Sequence, residues 1–266
     1  GLARQMKGRF DTAYVCPNSL KSALLPWWAG IGRRLGYHGE SRFGVLNQRL
    51  PNPPEGHRPP MVAFYSALSG ETGTAQDRPQ LQLDPVAVDA ALAGMHLQRQ
   101  GYYVFAPGAE YGPAKRWPPR HFAVLAEQLD APVVLLGSAK ESALCAEIAR
   151  TVNTAQPGQC IDWSGRTSLD RALATISAAK AMVSNDSGLM HVAAAFGLPQ
   201  VALFGSSSPL HTPPLNPRAH VVWLKNDPGY LPALDCAPCF ARECPLGHTR
   251  CLVDLAPDDV LHLVQP

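Results

Sequence analysis

The 266-residue sequence has no apolar run that approaches the ~18 residues needed to span a bilayer. It has no secretory leader pattern, and its first residues, Gly1-Leu-Ala-Arg-Gln-Met-Lys7, read like the inside of a helix, so an upstream continuation is expected. No loop carries the P-loop pattern G-x-x-x-x-G-K-S/T, which disfavours a kinase or NTPase. The absence of G-x-G-x-x-G disfavours a dehydrogenase. No G-x-y period accompanies the 26 prolines and 22 glycines, which excludes a collagen and leaves many turns. Charged residues make up only 17% against 46% hydrophobic, a balance that folds rather than one that stays disordered. Seven cysteines are too few for a disulfide framework in a chain of this length.

The small net charge of +2 conceals an asymmetry. Residues 1–60 hold nine Lys/Arg and three Asp/Glu, a balance of +6, and the remainder balances at −4. Lys21, Arg33, Arg34, Arg42 and Arg49 belong to the basic part. They read either as a solvated face or as a surface toward an anionic membrane, polyphosphate or glycan. Nucleic acid is disfavoured, because no recognition motif accompanies the charge.

Asp11–Cys16 reads as a short buried strand, and Leu20–Ala29 as a helix stopped by Gly30. Residues 50–60 are too rich in proline for helix or central strand, and Met61–Leu68 reads as a short helix. The polar, turn-rich Ser69–Pro85 stretch is the expected linker. Beyond it, apolar β-rich runs recur at Tyr102–Ala106, Pro132–Leu136, Gln159–Trp163, Ala181–Ser184, Gln200–Phe204 and His220–Leu224. Helical patterns separate most of them. Phe122, Leu125, Ala126 and Leu129 are spaced i, i+3, i+4, i+7, as are Leu169, Ala172, Leu173 and Ile176, with Thr167 or Ser168 as the cap of the second set. Alternation of this kind predicts βαβ units and a parallel sheet covered on both faces, an α/β fold.

The chemistry-bearing residues follow the carboxyl ends of these strands, where open parallel sheets bind their ligands. The loops are Pro107–Lys115, Gly137–Glu141, Ser164–Thr167, Asn185–Gly188 and Gly205–Pro209. The Asn185–Gly188 loop opens a helix, whose free N–H groups around Ser187 and Gly188 favour a phosphate. Asp186 also reads as a plain N-cap, and His191, one turn further on, as facing either the ligand or, as a structural histidine, the core. Lys115 reads as a solvated lysine or a phosphate partner. Glu141 reads as a first-turn carboxylate or as an acceptor for two ribose hydroxyls.

Ser184-Asn-Asp-Ser-Gly-Leu-Met-His191, Val201–Gly205 with the following Ser-Ser-Pro-Leu-His-Thr-Pro-Pro214 stretch, and Pro107–Pro118 resemble the bacterial ADP-heptose:lipopolysaccharide heptosyltransferases of glycosyltransferase family 9. Pro17–Leu24 narrows the resemblance to the heptosyltransferase II branch. The resemblance extends from about Phe10 onward. It implies the GT-B architecture, with two Rossmann-like domains built on parallel sheets. Residues 1–80 would be an incomplete N-terminal, acceptor-side domain and residues 81–266 the nucleotide-sugar domain. It further implies inverting transfer of heptose from ADP-L-glycero-D-manno-heptose to a lipid A–Kdo–heptose acceptor, on the inner face of the cytoplasmic membrane, with no metal at the reaction centre. By the same resemblance Lys115 contacts donor phosphate and sugar, Glu141 the ribose, and Thr167 lies where backbone holds the adenine. Asp186 lies near the heptose, Ser187 and Gly188 hold the diphosphate, and His191 completes the motif. Asn18, Ser19 and Lys21 fall on the acceptor side. The family's opening strand, glycine loop and general-base aspartate have no counterpart here, which implies a start some sixty to eighty residues late, by rough comparison with a half-domain of several βα units. An inverting transfer needs a base, so the expectation is a chain that binds donor and turns over poorly. The alternatives are a non-catalytic nucleotide-sugar binder and an epimerase of the same architecture.

Cys236, Cys239, Cys244 and Cys251 are spaced C-x2-C-x4-C-x6-C with His248 among them. This spacing is open to a structural zinc, to free thiols, to disulfides and, with less reason, to an iron–sulfur cluster.

Overall fold

The computed structural model describes residues 1–54, 59–70 and 78–265. Parts of the proline-rich stretch and of the expected linker lie outside the described residues. The chain divides into two compact units, Gly1–Asp77 and Arg78–Pro266.

The first unit contains α1 (Leu2–Met6), β1 (Thr12–Val15), α2 (Leu20–Trp28), β2 (Arg33–Tyr37), β3 (Gln48–Leu50) and α3 (Met61–Ser66). Its three strands form a parallel sheet in the order β1-β2-β3. Ser19 caps α2, its hydroxyl accepting from the Ser22 amide at 3.3 Å, and Gly30 leaves the helix at φ +70°. The Tyr37 and Phe64 rings stack with centroids 3.8 Å apart.

The basic-face reading needs correcting here. Arg42 is only 1% exposed. Its guanidinium donates to the carbonyls of Pro17, at 2.8 Å, and Tyr37, so it ties loops together instead of facing a partner. Arg34 is half-buried and donates to the Val45 and Ile31 carbonyls.

The second unit begins with α4 (Pro85–Ala93), capped by Asp84 with proline at the first helical position. There follow β4 (Tyr103–Ala106), α5 (Pro119–Gln128), β5 (Val133–Leu135), α6 (Ser142–Ala155), β6 (Cys160–Asp162), α7 (Leu169–Ser177), β7 (Met182–Asn185), α8 (Gly188–Ala195), β8 (Gln200–Leu203), β9 (Ala219–Val222), α9 (Arg250–Val253) and α10 (Pro257–Val264). The six strands pair in parallel in the order β6-β5-β4-β7-β8-β9. Successive strand residues face opposite layers, as a period of two requires. Tyr103 and Phe105 enter one core with Phe122, Leu125 and Ile148, whereas Tyr102, Val104 and Ala106 enter the other with Val88 and Ile176. The predicted stripe on α5 is buried throughout, from Phe122 at 0% to Leu129 at 6% exposure.

The order reverses between β4 and β7. From β4 the chain winds outward through β5 to β6, and from β7 it winds the other way through β8 to β9. Loops leaving the carboxyl ends of two such strands diverge and leave a crevice between them.

A nucleotide-sized cleft at the strand reversal

The crevice is a cleft of about 480 Å³, within the usual size range of small-molecule sites. Its lining brings together Glu141, Thr167, Ser187 and Gly188, four of the residues singled out from the sequence. Leu169, Ala172, Leu189 and Val192 complete an apolar wall. Sequence reasoning missed these as cleft-lining residues and placed Leu169 on a buried helix stripe. Leu169 is instead 69% exposed over the cleft. The missed signal is its position, first in a helix that opens directly from the glycine-bearing Ser164–Thr167 loop.

Glu141 takes the first-turn place expected of it. Its Oε2 accepts from the Ser138 amide at 2.7 Å and the Ser138 hydroxyl at 3.0 Å, a capping box on the short Ala139–Glu141 turn. Its Oε1 lies against Gly108, where an added Cβ would come within 1.6 Å of it. The bare backbone of Gly108 permits this approach, and both bonds to Ser138 use Oε2 alone.

At the start of α8 the N-cap position belongs to Ser187, not Asp186, and no side chain caps the helix. The Ser187 hydroxyl is buried without a partner. The first-turn N–H groups and the positive helix end are therefore available to an anion. Asp186, one residue earlier, is buried and turns the other way. Its Oδ2 meets Lys115 Nζ at 2.5 Å, and its Oδ1 accepts from the Thr212 hydroxyl at 3.5 Å. Lys115 is accordingly not a solvated lysine; only 17% of its side chain is exposed. His191 lies within the field of both charges and keeps an exposed face. Burial of its ring lowers its pKa, Lys115 lowers it further, and Asp186 opposes them. Lys115, Asp186 and His191 form a polar group beside the cleft but do not line it.

Asn18, Ser19 and Lys21 belong to the other unit. Asn18 Oδ1 accepts from Arg42 at 3.3 Å, Ser19 is the α2 cap, and Lys21 is exposed.

Cys236, Cys239, Cys244 and Cys251 all open on one small cavity beside Ala114 and Ser206. The Cys251 thiol is pushed up to about 11, first by burial and then by the other three cysteines. At Cys244 burial raises the pKa, but the amides of Thr249, Leu246, His248 and Gly247 outweigh it and leave the thiol below its ordinary value. The four share a cavity without forming a ready-made ligand set. Among the described residues no group of three or more His, Cys, Asp or Glu is disposed to hold a metal ion. Their settings differ: Cys251 is buried at the start of α9, whereas Cys239 is exposed. All seven cysteines are free thiols.

The thiol loop also backs the lysine turn. The Ala114 amide donates to the Arg242 carbonyl at 3.0 Å, and the Tyr111 hydroxyl donates to the Phe240 carbonyl at 2.8 Å.

Comparison with known proteins identifies the family. The chain is 44% identical to "Lipopolysaccharide heptosyltransferase 2" of Escherichia coli (strain K12) over 95% of its own length and 74% of that protein's. It is 39% identical to "Lipooligosaccharide heptosyltransferase 2" of Haemophilus influenzae over 84% and 68%. Its fold superposes on the structure of E. coli ADP-heptose LPS heptosyltransferase II with a TM-score of 0.81, at 42% identity, covering 98% of this chain and 78% of the other. The family model for glycosyltransferase family 9 (heptosyltransferase) matches residues 1–250, and the chain belongs to that family.

Proposed function

We propose that this chain is an inverting glycosyltransferase that moves L-glycero-D-manno-heptose from ADP-heptose to a heptose of the lipopolysaccharide inner core. The observation that carries the reading is the junction of a nucleotide-sized cleft with an uncapped helix start and an adjacent lysine. In this reading the adenine lies on the apolar wall of Leu169, Ala172, Leu189 and Val192, near Thr167. The free Oε1 of Glu141 accepts the ribose hydroxyls. The diphosphate sits on the N–H groups at Ser187 and Gly188, which neutralise it through hydrogen bonds and the helix field. Lys115 leaves Asp186 for the phosphate whose negative charge grows as the glycosidic bond breaks, and so stabilises the departing ADP. Asp186, released on the same side, faces the sugar. Asn18, Ser19 and Lys21 serve the acceptor, and exposed basic residues of the first unit such as Lys21 and Arg33 meet its anionic core at the inner face of the cytoplasmic membrane. Among the described residues no helix is long and apolar enough to cross a membrane.

Calorimetry of ADP binding tests the donor site. Lys115→Ala should weaken ADP by about 1.5–3 kcal/mol, the worth of a charge-assisted hydrogen bond. Equal affinities would remove Lys115 from the site. ADP-heptose incubated with and without acceptor then separates transfer from conversion of the donor alone, which transfer does not predict.

A further inference from the structure

Lys115 sits on a loop that leaves β4 at Pro107 and ends at Trp117, before α5. A charged group on an eleven-residue excursion is useful to a ligand only if the excursion is held. The hold comes from Asn185, the last residue of β7, whose side chain is completely buried. Its Nδ2 donates to the Pro107 carbonyl at 2.7 Å and reaches the Gly108 carbonyl at 3.5 Å. Its Oδ1 accepts from the Trp117 amide at 3.0 Å. One carboxamide thus joins both ends of the lysine loop at its neck. It places a donor and an acceptor on two separate atoms of one planar group, which no aliphatic side chain, single hydroxyl or ionised carboxylate of that size supplies. The next residue, Asp186, holds the lysine itself. Two adjacent side chains therefore fix the loop, one through its backbone and one through its charge.

We infer that Asn185 is a positioning residue for donor binding, acting through Lys115 by closing the neck of the Pro107–Trp117 loop. The inference rests on the donor-site reading above. It differs from a general contribution to folding because it requires the effect of Asn185 on the nucleotide to vanish once Lys115 is gone.

A double-mutant cycle on ADP binding tests it. Asn185→Ala, Lys115→Ala and the double variant are compared by calorimetry at a temperature well below the melting point of each. Lys115→Ala should weaken ADP about ten- to a hundredfold. Asn185→Ala should weaken it about tenfold, and the double variant should bind within about threefold of Lys115→Ala alone. If Asn185→Ala does not fold, Asn185→Asp replaces it. Aspartate still accepts from Trp117 but sets an oxygen against the Pro107 carbonyl, and a several-fold loss confined to the Lys115 background is expected. Asn185→Ala affinity within threefold of the parent protein would overturn the inference, as would losses that multiply in the double variant. If Lys115→Ala alone leaves ADP binding unchanged, the donor-site reading fails first, and Asn185 has nothing through which to act.

Discussion

Glu141 divides its oxygens between a turn cap and a close approach to backbone. Oε2 is committed to the Ser138 cap, and Oε1, the atom proposed for the ribose, lies against the bare backbone of Gly108. A methyl group at Gly108 would meet the Cδ of Glu141 at 2.1 Å as well as Oε1. The carboxylate is the far end of a flexible chain and can swing away, so Gly108→Ala should change the melting temperature little. It should still weaken ADP severalfold, and unchanged affinity would show that the ribose does not use Glu141. His191 makes a prediction about pH. A histidine held below 6.5 binds its proton more weakly when folded than when unfolded. Its contribution to stability is present above the unfolded value and is lost as pH falls from there toward the folded one. The parent protein should therefore lose more melting temperature than His191→Gln between about pH 7.5 and 5.5. Identical losses would place the imidazole outside the acid limb.

At the scale of elements, the six strands of the second unit were legible because each is a short apolar run of β-formers bounded by turn residues, and the polar loops after them marked the rim. The helix at Leu169 was legible in extent but not in facing, since a cleft-facing leucine and a core-facing leucine follow the same spacing. β2 was not legible at all: Arg33-Arg-Leu-Gly-Tyr37 has two arginines and a glycine where a buried strand usually shows an apolar run. Only pairing with β1 and β3 on either side makes it a strand. Asp186 was read as a cap because its place before a helix allows that. The ion pair that claims it instead comes from a loop 71 residues earlier, and no local pattern reports such a partner. The support of the lysine turn by the thiol loop was equally hidden. At Gly112 an added Cβ would lie 2.3 Å from the Arg242 carbonyl oxygen. Backbone cannot rotate away as Glu141 can, so Gly112→Ala should lower both the melting temperature and ADP affinity, in contrast to Gly108→Ala. A variant as stable and as tight as the parent would show that the two loops yield freely.

At the scale of the whole molecule, charge and chemistry are divided between the units: the +6 balance lies in residues 1–60, and the nucleotide-sized cleft lies wholly beyond Arg78. With Arg42 buried and Arg34 occupied, any attraction to anionic surfaces falls to exposed residues such as Lys21 and Arg33. Binding to vesicles containing anionic lipid should weaken as salt rises past about 0.15 M, and neutral vesicles should bind less. Indifference to both would leave the basic balance without that role. The strand reversal also has a consequence in time. The two sides of the cleft hang from β4 and β7, and the bond from Asn185 to Pro107 joins residues 78 apart in sequence. Closing a loop of that length costs entropy before it returns any contact, so it comes late in folding. On the ribosome, everything through β6 can emerge while the Lys115 loop still has no partner to hold it. Nucleotide capture is thus a late acquisition of the growing chain, reached only when β7 has threaded into the middle of the sheet.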